Sequence, residues 1–190
     1  MTEKEKMLAG QPYDSRDPEL IRRYYQARKL LHQYNQGAHA PDFDREGCLK
    51  QLLGQLEEGV WIEAPFYCDY GENISIGAHT FLNVNCVLID NNLIRIGSHC
   101  LLGPSVQIYT SAHPLPAEER IQVTASGSRY LTHTQPVTIG DKVWIGGNSV
   151  IFPGVTIGSG TTIGAGSVVT RSIPEGVLAY GNPCRVIRKL

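Results

Sequence analysis

His113 is the group in this chain best suited to moving a proton. It stands in the run Thr110-Ser111-Ala112-His113-Pro114, and an imidazole titrates near neutrality, where a general base works well. A competing reading makes it a surface histidine tied up in a local hydrogen bond. His79 and His99 each follow an aliphatic–glycine pair at the same offset and lie 20 residues apart (99 − 79). Their rings can therefore stack and offer two nitrogens to a zinc ion. A third ligand would have to come from His113 or His133, and side chains just after such glycines usually point outward, so no metal is expected. His32, His39 and His133 fall in no pattern. The five cysteines show neither metal-ligand nor redox spacing. No serine or cysteine has the setting of a nucleophile.

The scaffold around His113 is written in a six-residue rhythm. Ile139, Ile145, Ile151, Ile157, Ile163 and Val169 recur at that interval, with Gly140, Gly146, Gly158 and Gly164 directly after four of them. Two positions before each aliphatic stands a small or β-branched partner: Val137, Val143, Ser149, Val155, Thr161 and Ser167. This period suits neither an α-helix nor a flat strand. It suits a parallel β-helix in which each hexapeptide is one short strand plus a corner and three make a triangular coil. The glycine is expected to let the backbone turn.

The same pairs run upstream: Val60/Ile62, Phe66/Cys68, Ile74/Ile76, Thr80/Leu82, Cys86/Leu88, Ile94/Ile96, Cys100/Leu102 and Val106/Ile108. Two-residue slips interrupt them after Cys68 and at Asp90-Asn91-Asn92, where polar residues can widen a corner. A β-sandwich would instead show period-two strands with turn signals every ~8–12 residues. Cys68, Cys86 and Cys100 take interior positions and read as small core hydrophobes.

Residues 1–58 lack the rhythm and form a helical module, leaving 59–190 to the β-helix. Asp17-Pro18-Glu19 reads as an N-cap, a proline in the first turn and a dipole-favouring acid; this helix ends near Asn35-Gln36-Gly37. A second helix is expected from Asp44 to Glu58, stopped by Gly59. The module is expected chiefly to cover the raw end of the solenoid; leaning over a site is its other role. The rhythm breaks again over residues 109–136, a long excursion of the kind that is usually functional.

A net charge of −1 with no basic stripe gives no footprint for nucleic acid. The charged first residues do not resemble a secretory signal, no apolar run approaches a membrane span, and the cysteine usage fits a reducing compartment. The expectation is a cytoplasmic protein.

Several runs resemble the sugar O-acetyltransferases of the hexapeptide acyltransferases, with the maltose and galactoside enzymes nearest. They are Cys68-Asp69-Tyr70-Gly71, Asn83 with Asn85, Ile108-Tyr109-Thr110 leading to His113-Pro114, and Val143-Trp144-Ile145-Gly146-Gly147. Pro153-Gly154-Val155-Thr156-Ile157-Gly158, Gly181-Asn182-Pro183-Cys184-Arg185-Val186-Ile187-Arg188 and the N-terminal Met7-Leu8-Ala9-Gly10 with Tyr13 complete the set. The resemblance covers nearly the whole chain. It implies a left-handed β-helix, an exception to the usual right-handed crossover. It also implies a homotrimer with sites between subunits, and direct transfer from acetyl-CoA to a hydroxyl of a small carbohydrate.

By the same resemblance His113 is the catalytic base, Asn83 touches acceptor and acetyl group, and Asp69 and Asn91 lie near the acceptor. Ser15 falls where a carboxylate should grip the sugar, so the adjacent Asp14 is taken as that carboxylate. Gly147, Ala165, Thr170, Arg171, Arg185 and Arg188 take the coenzyme positions. For the three arginines the bland alternative is a solvated basic tail. The chain departs from its relatives in having Tyr24 where many carry arginine, with Arg22 and Arg23 adjacent. Its segment between Arg120 and Pro136 is longer, with Ser126-Gly127-Ser128-Arg129 where a glutamate is common. That loop shapes the acceptor pocket, so acceptor choice is where this sequence differs. Two other activities compete: a streptogramin or chloramphenicol type O-acetyltransferase, whose members usually lack the helical module, and a zinc-dependent carbonic-anhydrase-like β-helix.

Overall fold

In a computed structural model of the chain, residues 1–125 and 127–190 are described. Ser126, part of the divergent loop segment, lies outside them. The six-residue rhythm becomes a parallel β-solenoid with three faces. The first face stacks Gln55–Leu56, Ile74–Ile76, Ile94–Ile96, Val137–Ile139 and Thr156–Ile157. The second runs from Trp61–Ile62 through Phe81–Leu82, Leu101–Leu102, Trp144–Ile145 and Thr162–Ile163 to Val177–Tyr180, and the antiparallel strand Arg185–Lys189 closes it. The third holds Tyr67–Cys68, Val87–Ile89, Gln107–Tyr109, Val150–Ile151 and Val168–Val169.

Register follows the sequence. Ile139 pairs with Ile157, Ile145 with Ile163 and Ile151 with Val169, each 18 residues apart. Upstream, Ile76 with Ile96 and Leu82 with Leu102 are 20 apart, the extra two being the slip. These aliphatics are all buried, and Cys68, Cys86 and Cys100 lie among them.

The glycines act differently from the expectation. Those that follow the aliphatics do not hold positive φ; the left-handed positions come two residues later, at His79, His99, Lys142, Asn148, Gly160 and Gly166. What excludes a side chain after the aliphatic is the next coil. A Cβ on Gly77 would lie 2.7 Å from the Gly97 carbonyl carbon and the Ser98 nitrogen, and one on Gly146 would lie 2.4 Å from the Ala165 nitrogen.

Both slips and the long excursion fall on one edge of the prism, between the third and first faces. There Asp90 accepts N–H bonds from Asp69 and Tyr70 at 2.9 Å each, and the Asn73 side chain donates to the Asp90 carbonyl at 2.7 Å. Each widened corner thus supplies side-chain partners for backbone groups that lie off the ladder.

Three helices precede the coils: α1 (Glu3–Leu8), α2 (Pro18–Gly37) and α3 (Arg45–Leu52). Asp17 caps α2 as the sequence indicates, its side chain accepting from the Glu19 N–H. α1 was not foreseen, although Thr2 and Glu5 form a capping box. α3 stops at Leu52, short of the expected Glu58, because Leu53 is extended and Gln55–Leu56 already pairs in parallel with Ser75–Ile76. The first coil therefore begins inside the segment assigned to the helical module. Gly59 (φ +67°) is a solenoid corner and not a helix stop. α2 and α3 cap the open end through Leu31, Tyr34, Leu49 and Leu52, which share one core with Ile62 and Phe66.

Replacing Gly77 with alanine should lower the unfolding free energy by about 1–3 kcal/mol, the range for a side chain forced into close-packed surroundings. Chemical denaturation of the variant beside the parent chain measures it.

Candidate active site

The widened edge holds a cavity of about 510 Å³. Its floor comes from Asp69, Tyr70 and Asn91 of the two slipped corners and from Ile89 at the end of the strand before the second. One wall is the N-terminal module, with Tyr13, Ser15, Tyr24 and Tyr25; the other is the excursion, with Ser111, His113, Tyr130 and Thr132. The module is therefore both cap and cavity wall. Its far half closes the solenoid, while the α1–α2 connection and the start of α2 lean over the edge.

His113 is exposed, and its Nδ1 lies 2.8 Å from the Leu131 carbonyl oxygen. A carbonyl only accepts, so Nδ1 carries the proton and Nε2 keeps its lone pair. The local hydrogen bond of the competing reading exists, and it fixes the tautomer that a general base would require. The Leu131 carbonyl is a backbone group 18 residues away, which no residue type could have announced.

Asp69 receives the Asn91 side-chain amide at 3.1 Å and Arg28 at 3.3 Å. Burial raises its pKa above the ordinary carboxylate value, while Asn91 and Arg28 pull the other way. Burial, with the Asp69 charge adding to it, pushes the Tyr13 phenol up to about 12. The cation beside the cavity floor is Arg28. Arg23 is spent on Glu19 and Glu72 at 2.9 and 2.6 Å. Arg28 also lies 4.6 Å over the Tyr24 ring, an i,i+4 pair visible in retrospect.

Asp14 does not line the cavity; Ser15 does. The Asp14 carboxylate accepts from the Arg16 N–H at 3.0 Å and lies 3.6 Å from Arg129. The expected sugar-gripping carboxylate is thereby turned toward the loop. Asn92, also unforeseen, ties the walls together. Its amide donates to the Leu8 carbonyl and to Thr134 at 3.1 Å each, and the Thr134 hydroxyl bonds the Met7 carbonyl.

The remaining expected residues lie elsewhere. Asn83 sits at the corner between the second and third faces, its side-chain oxygen accepting the Val84 N–H at 2.8 Å. Gly147 and Ala165 share that edge. Thr170 and Arg171 follow Val168–Val169 on the His113 edge, two coils further along. Arg185 and Arg188 are exposed on the closing strand and, among the described residues, bond only the carbonyls of Cys184 and Lys189. His79 and His99 do stack, 5.2 Å between centroids. Among the described residues, no group of three or more His, Cys, Asp or Glu side chains could hold a metal ion.

The helical module and the later coils both match known families. A family model described as the maltose acetyltransferase hexapeptide capping motif covers residues 6–57, and one described as bacterial transferase hexapeptide (six repeats) covers residues 136–171. A maltose O-acetyltransferase from Clostridium difficile 630 superposes with a TM-score of 0.91 at 45% identity, over 100% of this chain and 98% of that one. The chain belongs to the hexapeptide acetyltransferase family. A hexapeptide-repeat acetyltransferase from Vibrio cholerae, complexed with acetyl-coenzyme A, superposes at 0.90 with 39% identity, covering 100% and 99%. Nodulation protein L of Rhizobium meliloti is 45% identical over 97% of each chain. No helix among the described residues is long and apolar enough to cross a membrane.

Asn92→Ala should lower the unfolding free energy by about 1–3 kcal/mol, because the Leu8 carbonyl and the buried Thr134 hydroxyl lose its amide as donor. Urea denaturation measures the loss, and the circular dichroism spectrum should stay that of the parent.

Proposed function

We propose that this acetyltransferase moves the acetyl group of acetyl-CoA directly to a hydroxyl of a small sugar of the maltose, glucose or galactoside type, with His113 as general base. The observation that carries this reading is the His113–Leu131 contact, which leaves Nε2 free on the wall of a cavity floored by Asp69 and Asn91.

The chemistry follows from that tautomer. A sugar hydroxyl is almost fully protonated at neutral pH and attacks a thioester poorly. As its oxygen bonds the thioester carbonyl carbon, the hydroxyl proton passes to Nε2. The carbon–sulfur bond then breaks, and the proton passes from His113 to the departing sulfur. No acyl-enzyme is needed. Asp69 accepts and Asn91 donates hydrogen bonds to neighbouring hydroxyls, and Tyr24 or Tyr25 offers a ring face to the apolar side of a pyranose. The small Gly147 and Ala165 let an extended pantetheine lie against the coil, and Arg171, Arg185 and Arg188 suit its phosphates.

We further infer a homotrimer. In one chain Asn83, Gly147 and Ala165 occupy a different edge from His113, so a site containing all of them draws on two copies. Outward positions support this. The second face presents Trp61, Phe81, Leu101 and Trp144 in one paired ladder, and the third presents Tyr67, Val87, Val150 and Val168 with one glutamine among them. The first face presents Gln55, Ser75, Arg95, Thr138 and Thr156. Two unlike apolar faces per copy suit a closed ring.

His113→Ala should lower kcat by about 10²–10⁴-fold, the usual worth of a positioned base. Its dissociation constant for CoA, by titration calorimetry, should stay within about twofold of the parent's. Near-normal turnover would remove His113 from the mechanism, and a thiol-release screen over maltose, glucose and galactosides without acetylation would remove the sugar. Arg185→Ala with Arg188→Ala should weaken CoA more than acetyl-pantetheine, in the same calorimeter; equal losses would make both arginines structural. Sedimentation should give three chains per particle.

A further inference from the structure

Behind the floor of the cavity lies a charged group that the mechanism does not use. Asp90 has no solvent exposure. One of its oxygens accepts the N–H groups of both Asp69 and Tyr70; the other has no hydrogen-bond partner among the described residues. We propose that Asp90 is a positioning residue of the acceptor site, holding the corner that presents Asp69 and Tyr70 in register with Asn91 on its own corner. The inference rests on the cavity being the acceptor site, though part of its test does not.

Three links support it. The two N–H groups that Asp90 captures belong to two residues of the cavity floor, so its reach is confined to the functional corner. Asn91, the next residue, donates to the Asp69 carboxylate at 3.1 Å, so one dipeptide fixes both the backbone and the side chain of Asp69. The Asp90 carbonyl accepts from Asn73 at 2.7 Å, which closes the corner from its far end. A carboxylate accepting two N–H bonds is a stiffer anchor than a neutral group, and nothing in the solenoid requires a charge here. The regular corner that follows on the same edge manages with Pro153-Gly154.

This charge is expensive to keep buried. Burial raises the Asp90 pKa to about 7 from the ordinary 3.8, against the opposing pull of the Tyr70 and Asp69 N–H groups. The facing groups are the Asp69 carboxylate, the Cys68 thiol and the Tyr70 phenol; Arg28 reaches the corner from α2 but pairs with Asp69. A carboxyl raised in the fold binds its proton more tightly there than in the unfolded chain. Stability from this group is therefore fully present below about pH 4 and is lost as pH rises toward and through 7. A carboxylate retained at such a site is explained by position and not by stability.

The test compares Asp90→Ala with Asp90→Asn, the amide keeping the acceptor oxygen without the charge. Maltose and p-nitrophenyl β-galactoside serve as acceptors, with hydrogen exchange of the peptide containing Asp69 and Tyr70 as a readout free of activity. Asp90→Ala should raise the acceptor KM about tenfold or more, as expected when two buried donors lose their acceptor, with the acetyl-CoA KM unchanged. It should also speed exchange at that peptide but not around Ile145 and Ile163. Asp90→Asn should restore most of both, and its gain in melting temperature over the parent should be larger at pH 8 than at pH 5. Equal rises in both KM values, no rescue by asparagine, or unchanged exchange in the alanine variant would overturn the assignment. If neither sugar is acetylated by the parent chain, the acceptor reading fails alone, and exchange and melting still decide the role of Asp90. If the alanine variant does not fold, exchange in Asp90→Asn close to the parent's supports the role, and exchange there as fast as at an unpaired surface loop overturns it.

Discussion

Close contact between successive coils governs the rest of this molecule. Parallel strands lie about 4.8 Å apart, and at the residue after each interior aliphatic the next coil's backbone is near enough to exclude a Cβ, as at Gly77, Gly97 and Gly146. That spacing forces each corner to sit on the one before it. Residues far apart in the chain become neighbours along an edge, and His79 over His99 shows how strict the stacking is. A solenoid built this way has little freedom inside and considerable freedom at its corners. Its chemistry belongs on the edges.

One edge is loosened in three consecutive coils, by Asp69–Asn73, by Asp90–Asn92 and then by the whole excursion after Tyr109. Loosening leaves backbone groups off the ladder, and side chains take them over. Asp90 serves Asp69 and Tyr70, while Thr110 accepts the Asn92 N–H at 2.8 Å and donates to the Ile89 carbonyl at 2.7 Å. The room gained is then walled by the N-terminal module, whose Met7, Tyr13 and Leu20 cluster on Tyr70. Cavity, loop and helical cover are thus three consequences of one local relaxation of the coil.

The regular parts of the fold were legible because period and burial coincide: every interior aliphatic from Ile62 to Val169 was identifiable by spacing. The slips were visible too, at the polar residues that fill them. What the sequence hid were contacts made by atoms whose identity carries no signal. The Leu131 carbonyl that orients His113 is one, and the Leu8 and Met7 carbonyls that anchor Asn92 and Thr134 are others. Asp14 misled for a related reason. Asp14 opens a turn, its carbonyl accepting the Asp17 N–H at 3.1 Å, and that turn puts Ser15 in the cavity and Asp14 beside Arg129. Glycine misled because one residue type answers two needs, positive φ and close approach, and only geometry separates them. α3 ran short for a comparable reason: Leu53 and Leu56 continue a helical stripe, yet Leu56 also stands six residues before Ile62, and parallel pairing with Ile76 prevailed.

The division of the site between edges follows from the size of a face. A face about five extended residues wide spans roughly 16 Å, far more than an acetyl group and a hydroxyl oxygen can bridge. Asn83 and His113 of one chain stand on opposite sides of the third face, so under the proposed mechanism one copy would orient the base or meet the acyl group at Asn83, but not both around a single molecule. The apolar ladders on the second and third faces would bring a second copy alongside, and the outward Trp144 lies on the same coil as Gly147, where pantetheine would run. A loosened edge roomy enough for the proposed acceptor and a tight edge that tolerates only small residues would be complementary surfaces. In the proposed ring, stacking them against each other would give each site one of each.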